Sequence, residues 1–167
     1  RNNGLISSYH RERGSKKLYR QIDFRREILD TPGIVKRIEY DPNRSSYISL
    51  VIYNIGKMAY VLSTEGVKVG DIIIASRESS SNIKLGNSLT LKDIPVGTKV
   101  HNIEITPGTG GSLARAAGTF AKIIKQEKGE VTLRVKSKRE IIVSELCMAT
   151  IGVSSKSDYK NIKGGSA

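Results

Sequence analysis

The chain has 167 residues and carries 28 lysines and arginines against 16 aspartates and glutamates, which gives a formal net charge of +12. So large an excess of positive charge predicts a polyanionic partner, with nucleic acid the first candidate and an anionic membrane surface the second. No apolar stretch approaches the roughly 18–20 residues of a membrane-spanning helix, and the single cysteine, Cys147, rules out an internal disulfide and favours a reducing compartment.

Residues 1–26 form a basic arm, which holds eight lysines and arginines but only two acidic residues. A basic segment ahead of a more balanced body is common in nucleic-acid-binding proteins. Tyr9, Tyr19 and Phe24 are interleaved with the cations, and this combination suits RNA because cations neutralise phosphates while aromatic rings stack on bases. The alternative is a solvated charge run whose aromatic residues anchor it to the body.

After the arm, short apolar runs alternate with Gly, Pro, Asn and Asp, which is typical of a β protein. Asn54, Ile55 and Gly56 predict a hairpin turn between the second and third strands. The predicted strands cover residues 33–40, 47–53, 58–62, 71–76, 98–105, 130–135, 140–143 and 147–153.

Residues 112–126 allow two interpretations. Apolar residues such as Leu113, Phe120 and Ile124 recur at helical spacing, whereas Gly118 in the middle argues against a continuous helix. The alternative is a loop with one turn, followed by a strand.

The number and spacing of the strands suit two small barrels of about five strands each, because closing a sheet into a barrel removes its edges. An OB-type barrel binds oligonucleotides on one face, which agrees with the charge. We expect the join between the barrels within residues 82–92, a loop-rich stretch.

The segment Asp41-Pro42-Asn43-Arg44 follows the first predicted strand and predicts a rigid turn. Pro42 fixes its φ angle, and Asp41 and Asn43 are residue types that bond to nearby backbone in tight turns. Such a turn either presents Arg44 to a partner or is a plain β-turn with an exposed arginine.

The glycine-rich loop at residues 106–119 is the most distinctive segment. Consecutive glycines let a backbone approach a phosphate closely and expose N–H groups to anions. The loop has no lysine for the Walker pattern and lacks the third glycine of the dinucleotide pattern, so it does not indicate a nucleotide-binding enzyme.

His101 and Asn102 lie in a predicted strand, where a histidine is more often packed than catalytic; contact with RNA sugars or bases is the alternative. His10, His101 and Cys147 are too scattered for a zinc site. No nucleophile, carboxylate pair or metal cluster can be assembled, so we expect no catalytic residue, no metal and no cofactor.

Four segments in this order carry a resemblance over nearly the whole chain. They are Tyr19–Arg26, Ile38–Ser45, Val100–Glu104 and Pro107–Thr119. Together they resemble the L-two family of large-subunit ribosomal proteins, of the bacterial and organellar type. Two segments depart from the family pattern, because Thr109 and Ser112 replace the usual lysine and glutamine of the loop, and residues 10–16 have lost two glycines.

The resemblance implies an all-β protein with a basic RNA-binding arm at 1–26, an OB-fold barrel at 27–85 and a Src-homology-type (SH3-like) barrel at 86–167. It also favours a strand from about Thr119 over the helix. The residues expected to contact RNA are Arg1, Arg11, Arg13, Lys16, Lys17, Tyr19, Arg20, Arg25 and Arg26 of the arm, Arg44 of the turn, His101, Asn102, and Gly108, Gly110, Gly111 and Arg115 of the loop.

The function that the resemblance implies is structural. The chain would bind large-subunit ribosomal RNA and neighbouring ribosomal proteins, and would support subunit architecture and association near the peptidyl-transferase region. A free-standing RNA-binding translation factor built from the same two barrels is the alternative, and a nucleotide-using enzyme a remote third. No membrane or small-molecule substrate is expected.

The sequence ends at Ala167, where a full family member continues into a long C-terminal extension. The resemblance therefore suggests that the extension is a separate polypeptide or lies outside this sequence. Abundant Ile, Lys, Ser and Asn favour a mitochondrial ribosome over a plastid or bacterial one.

Overall fold

The computed structural model describes residues 3–10, 14–78 and 82–165, so the predicted contacts Arg1, Arg11 and Arg13 lie outside the described residues. The described residues form twelve β-strands and two short 3-10 helices, and the all-β prediction is confirmed. None of the described helices is long and apolar enough to cross a membrane. The strands are β1 (Gly33–Glu39), β2 (Ile48–Tyr53), β3 (Met58–Leu62), β4 (Ile72–Ile73), β5 (Ser88–Thr90), β6 (Lys99–His101), β7 (Ile103–Glu104), β8 (Gly111–Leu113), β9 (Ala121–Glu127), β10 (Glu130–Val135), β11 (Glu140–Ser144) and β12 (Met148–Ile151). The 3-10 helices are Leu91–Asp93 and Ser157–Asn161.

The first four strands form one antiparallel sheet in the order β3-β2-β1-β4. β2 is rich in β-branched residues and is buried along most of its length, as expected for a central strand. Val35, Val51 and Tyr53 form the middle of its core. The end of the arm joins this sheet, because Ile22 pairs with Tyr60 of β3 in a parallel bridge.

The second sheet has six strands in the order β11-β10-β9-β6-β12-β5. Its core includes Leu89, Ile123, Leu133 and Cys147, so the cysteine packs as an apolar residue. A separate two-stranded ribbon pairs β7 with β8, so residues 106–110 of the glycine-rich loop lie between its strands and β8 itself is part of the loop.

Backbone pairing joins the two sheets. Thr64, just after β3, bridges to Ser154 after β12. On either side of this bridge, the N–H of Glu65 donates to the carbonyl of Val153 at 2.8 Å, and the N–H of Ser155 donates to the carbonyl of Ser63 at 3.0 Å. The first sheet is therefore extended by the chain that leaves the second.

The structure decides between the two interpretations of residues 112–126. β8 ends at Leu113, a turn follows, and β9 begins at Ala121. The helical alternative is wrong, because residues 121–127 are extended and buried residues alternate with exposed ones along them. Ala121 and Ile123 are buried, while Lys122 between them is exposed.

The long strand predicted at 98–105 is divided. Asn102 has a φ of 49°, which interrupts the extended backbone between β6 and β7. β5 lies within the stretch 82–92 that was predicted to join the barrels, and it pairs with β12.

Candidate nucleic-acid interface

The basic arm, the turn at residues 41–44 and the glycine-rich loop meet at Phe24. The Arg115 guanidinium of the glycine-rich loop lies 4.5 Å from the centre of the Phe24 ring, and that of Arg44 lies 5.4 Å from it. Both distances are within the range of cation–π attraction. The arm, the turn and the loop thus place two arginines around one aromatic ring, and we call Phe24, Arg44 and Arg115 the arginine cluster.

Arg44 is held by the turn that carries it. Its Nε lies 2.5 Å from Oδ2 of the fully buried Asp41, whose other oxygen accepts the N–H of Asn43 at 2.9 Å. Burial alone would raise the pKa of Asp41, but the Asn43 and Arg44 hydrogen bonds outweigh it, so the pKa lies below its usual value. The Asn43 amide also donates to the carbonyl of Leu18 at 3.3 Å, which ties the arm to the turn.

The turn therefore holds the Arg44 guanidinium against Asp41 and Phe24, so this group is not free at the tip. Its side chain is 17% exposed. A partner would meet an edge of the group whose orientation is already set.

A buried carboxylate that the sequence analysis missed organises the glycine-rich loop. Glu104 accepts the N–H groups of Gly108 and Gly110, both at 3.2 Å, and that of Met148 at 3.1 Å. Nη2 of Arg77 lies 3.6 Å from Oε1 of Glu104. An acidic residue at the end of an apolar strand, directly before a glycine-rich loop, was the available signal.

The amide groups of the predicted glycines are consequently not available to anions. Gly108 and Gly110 donate to Glu104, and Gly111 donates to the carbonyl of Phe24 at 3.1 Å. These amides, which were expected to be exposed to anions, are satisfied within the RNA-free protein. Close approach of RNA to this glycine backbone stays a prediction.

Two of these glycines are required by close packing. A Cβ at Gly110 would lie 2.9 Å from Cγ of Arg25, and one at Gly111 would overlap the side chain of Asn102. The loop therefore packs directly on the end of the arm, which fixes the position of Arg115 relative to Phe24.

His101 and Asn102, for which packing and contact with RNA were the two alternatives, are both buried in the RNA-free chain. His101 is fully buried, with Nε2 2.8 Å from Oγ1 of Thr64. Burial, with the nearby Arg26 charge, lowers the pKa of His101 to about 3, so the ring is neutral at pH 7. The side-chain amide of Asn102 donates to the carbonyl of Phe24 at 3.4 Å and so ties Asn102 to the backbone that carries the ring of the arginine cluster.

Arg26 is also placed differently from its prediction as a phosphate contact. It is 3% exposed, has a φ of 54°, and its Nε and Nη2 atoms have no hydrogen-bond partner in the described part of the chain. Its charge helps to lower the pKa of His101, and it partly offsets the burial that raises the pKa of Tyr53. In this conformation Arg26 lies inside the junction and not on the surface.

The other predicted RNA contacts of the described arm are accessible. Lys16, Lys17, Tyr19 and Arg25 are exposed, and Arg20 is half-buried with its guanidinium donating to the carbonyl of Leu18. Arg115 is exposed as well. These residues stay predicted RNA contacts.

A groove of about 1260 Å³ runs between the end of the arm and the first sheet. Four cations line it together with Asp23, Glu27 and the aromatic rings of Phe24 and Tyr60, and Thr109 of the glycine-rich loop also reaches it. The groove is thus continuous with the arginine cluster through Phe24. Its cations are Arg25, Lys36, Arg37 and Lys57.

Within residues 3–10, 14–78 and 82–165, no three His, Cys, Asp or Glu side chains are grouped so that they could hold a metal ion. The chemistry available at the surface described above is that of cations and aromatic rings.

The two halves of the chain match two family models. Residues 1–75 match the RNA binding N-terminal domain of Ribosomal Proteins L2, and residues 84–167 match the C-terminal domain of Ribosomal Proteins L2. The chain belongs to the ribosomal protein L2 family.

The L2 family assigns the two sheets. Its N-terminal domain is an OB-fold barrel and its C-terminal domain an SH3-like barrel, as the sequence analysis expected. The four-stranded sheet belongs to the first barrel and the six-stranded sheet to the second.

Relatives in the L2 family are similar along the whole of this chain. The large ribosomal subunit protein uL2c of Angiopteris evecta is 48% identical over 166 residues, which are 99% of this chain and 59% of the relative. The uL2 proteins of Cereibacter sphaeroides and Orientia tsutsugamushi are 43% and 46% identical, over 99% and 100% of this chain. The chain spans only 59% to 61% of the length of these relatives.

Proposed function

We propose that this chain is a structural constituent of the large ribosomal subunit and binds large-subunit ribosomal RNA. The observation that carries this proposal is the arginine cluster, in which the arm, the turn and the glycine-rich loop converge on Phe24. Membership of the L2 family supports it, because the relatives are named as proteins of the large ribosomal subunit. That membership gives no support to the free-standing translation factor.

RNA recognition in this proposal is electrostatic and geometric. Arg25, Arg44 and Arg115 and the cations of the arm neutralise phosphates, and a net charge of +12 makes this term strong and salt-dependent. The turn and the loop are rigid, so they fit an RNA fold whose phosphates already have matching positions. Phosphate and 2′-hydroxyl contacts then select the shape of the RNA more than its base sequence.

The proposed role is not catalytic and involves no cofactor or small-molecule substrate. The glycine-rich loop, which a nucleotide-using enzyme would need as a phosphate cradle, directs its amides to Glu104 and to Phe24. Neighbouring ribosomal proteins are further partners. The role extends to subunit architecture and association near the peptidyl-transferase region.

An organellar or a bacterial ribosome is the location that the relatives support. Within that range we propose the mitochondrial ribosome, on the composition of the chain, and a separately encoded polypeptide that supplies the C-terminal part of the longer relatives.

Sedimentation of the native organelle or cell lysate tests the function. The lysate is run through a sucrose gradient at low and at high salt and probed for this chain. We expect it to migrate with the large subunit at both salts, and mass spectrometry of that fraction identifies any C-terminal partner. Recovery in the light fractions at both salts would overturn the proposal.

A further inference from the structure

A group of aromatic residues outside the arginine cluster surrounds one lysine. Nζ of Lys156 lies 5.1 Å from the ring centre of Tyr47, 5.3 Å from that of Tyr159 and 5.5 Å from that of Tyr40. All three distances are within the range of cation–π attraction. We call Tyr40, Tyr47, Tyr159 and Lys156 the tyrosine cage.

The tyrosine cage is open to solvent. Tyr40 is 64% exposed and Tyr159 is 47% exposed, whereas Tyr53, which fills the first core, is 1% exposed. Burial in a core therefore does not account for Tyr40 or Tyr159, and Tyr47 is half-buried. Aromatic faces held at the surface of a basic protein are the feature on which unpaired bases stack.

The cage is assembled across the junction of the two barrels. Tyr40 follows β1 and Tyr47 precedes β2, whereas Lys156 and Tyr159 come from the chain after β12. The N–H of Tyr47 donates to Oγ of Ser155 at 3.0 Å, and the N–H of Tyr159 donates to the carbonyl of Lys156 at 3.0 Å. These bonds hold the backbone that carries the two rings, which lowers the entropy cost of binding.

The cage is next to the arginine cluster. Tyr40 immediately precedes Asp41, which holds Arg44. Ser46 directly precedes Tyr47 of the cage, and Ser154 directly precedes Ser155, which accepts the Tyr47 N–H. The hydroxyls of Ser46 and Ser154 both donate to the carbonyl of Arg115. These bonds and chain connections link the cage to the segments that carry Arg44 and Arg115.

We propose that the tyrosine cage is a second RNA contact that takes the base of one unpaired nucleotide. The base stacks on a tyrosine ring in the place that the Lys156 side chain occupies in this structure, and the Lys156 ammonium moves to the phosphate of the same nucleotide. This inference rests on the proposed RNA-binding function and names a further site for it.

The alternative is a clamp, in which Lys156 and the three rings only fasten the chain after β12 to the first barrel. The two explanations make different predictions. A clamp contributes to the stability of the free protein, and a stacking site contributes to its affinity for RNA.

The test measures binding of the purified chain to in-vitro transcribed large-subunit ribosomal RNA over a range of salt concentrations. Tyr159→Ala should weaken binding about tenfold without changing the salt dependence, because it removes a stacking face and no charge. Tyr159→Phe should bind within twofold of wild type, because stacking needs the ring and not the hydroxyl. Ile142→Ala is the control, since it truncates an apolar side chain that is 63% exposed on β11, the edge strand of the second sheet.

Ultraviolet cross-linking to the same RNA locates the contact. A uridine adduct on a cage tyrosine, found by mass spectrometry in the wild-type complex, supports the proposal. If Tyr159→Ala binds RNA like wild type and only melts at a lower temperature, the cage is a clamp and the inference is overturned.

The function proposed above and the cage fail in different ways. Wild-type binding to the ribosomal RNA no stronger than to an unrelated transcript of equal length would overturn both. Selective wild-type binding that is insensitive to Tyr159→Ala would overturn the cage alone.

Discussion

Replacing Glu104 with glutamine tests whether one buried carboxylate organises the glycine-rich loop. In the wild-type chain Oε2 accepts the N–H groups of Gly108 and Met148, and Oε1 accepts that of Gly110. Glu104→Gln preserves the size of the side chain. It removes the charge and turns one acceptor into an NH₂ group that faces an N–H donor.

The expected loss follows from these contacts. Hydrogen bonds to a charged group contribute about 1.5–3 kcal/mol each against about 0.5–1.5 kcal/mol for neutral ones, and a buried donor without a partner costs about 1–3 kcal/mol. Two weakened bonds and one orphaned N–H amount to about 3–5 kcal/mol. The lower desolvation cost of a neutral amide offsets part of this, which leaves a net destabilisation of about 2–4 kcal/mol.

Urea denaturation at pH 7 measures this difference from the midpoint at constant slope. For a slope of about 2 kcal/mol per molar urea, in the middle of the usual range, the midpoint should fall by about 1–2 M. Glu140→Gln is the matched control, because Glu140 forms an ion pair with Arg134 in which both side chains are about half exposed, and such pairs contribute about 0–1 kcal/mol. If Glu104→Gln shifts the midpoint no further than the control does, the carboxylate does not hold the loop.

Three further outcomes are expected. The pKa of His101 is lowered to about 3 in the folded chain, so protons bind the unfolded state preferentially below about pH 6.5. The contribution of His101 to stability is therefore full above that pH and falls by on the order of 4–5 kcal/mol as the pH drops toward 3. In thermal denaturation across this range, His101→Gln should flatten the pH dependence, and an unchanged slope would contradict the assignment. Arg115→Gln should weaken binding to large-subunit ribosomal RNA and reduce the slope of log affinity against log salt by about 0.7–0.9, whereas a slope equal to that of wild type would mean that Arg115 meets no phosphate. Gly111→Ala should destabilise the chain by about 2–3 kcal/mol, because its Cβ would overlap Asn102. Gly129→Ala should cost about 1 kcal/mol, because the new Cβ has open space and only the φ of 78° is unfavourable. Equal urea midpoints for these two variants would refute the packing argument.

Local patterns were sufficient to predict the strands that pair with near neighbours. β10 has the predicted bounds, because it belongs to a meander whose partners, β9 and β11, lie beside it in sequence and whose buried residues alternate. β5 was not predicted, because three residues carry little periodicity and their partner is the distant β12. The break at Asn102 was missed for the same reason, since its contacts are with Ala114 and Phe24.

The candidate site was predictable in its parts but not in its arrangement. The residue types and the turn indicated Arg44 and Arg115 as cations of interest. Nothing local to either arginine indicates that both face Phe24, which is half-buried. The burial of Arg26 and His101 depends on the junction of the two barrels, which no single segment specifies.

The junction constrains the order in which the protein is completed during synthesis. Tyr47 and Ser155 are 108 positions apart, yet one donates its backbone N–H to the hydroxyl of the other. The carbonyl of Ser63 and the N–H of Glu65 likewise gain their partners only when residues 153–155 have been synthesised. The first barrel therefore leaves the translating ribosome with an open polar edge. That edge is a site for mispairing, and so for aggregation, until almost the whole described chain has been made.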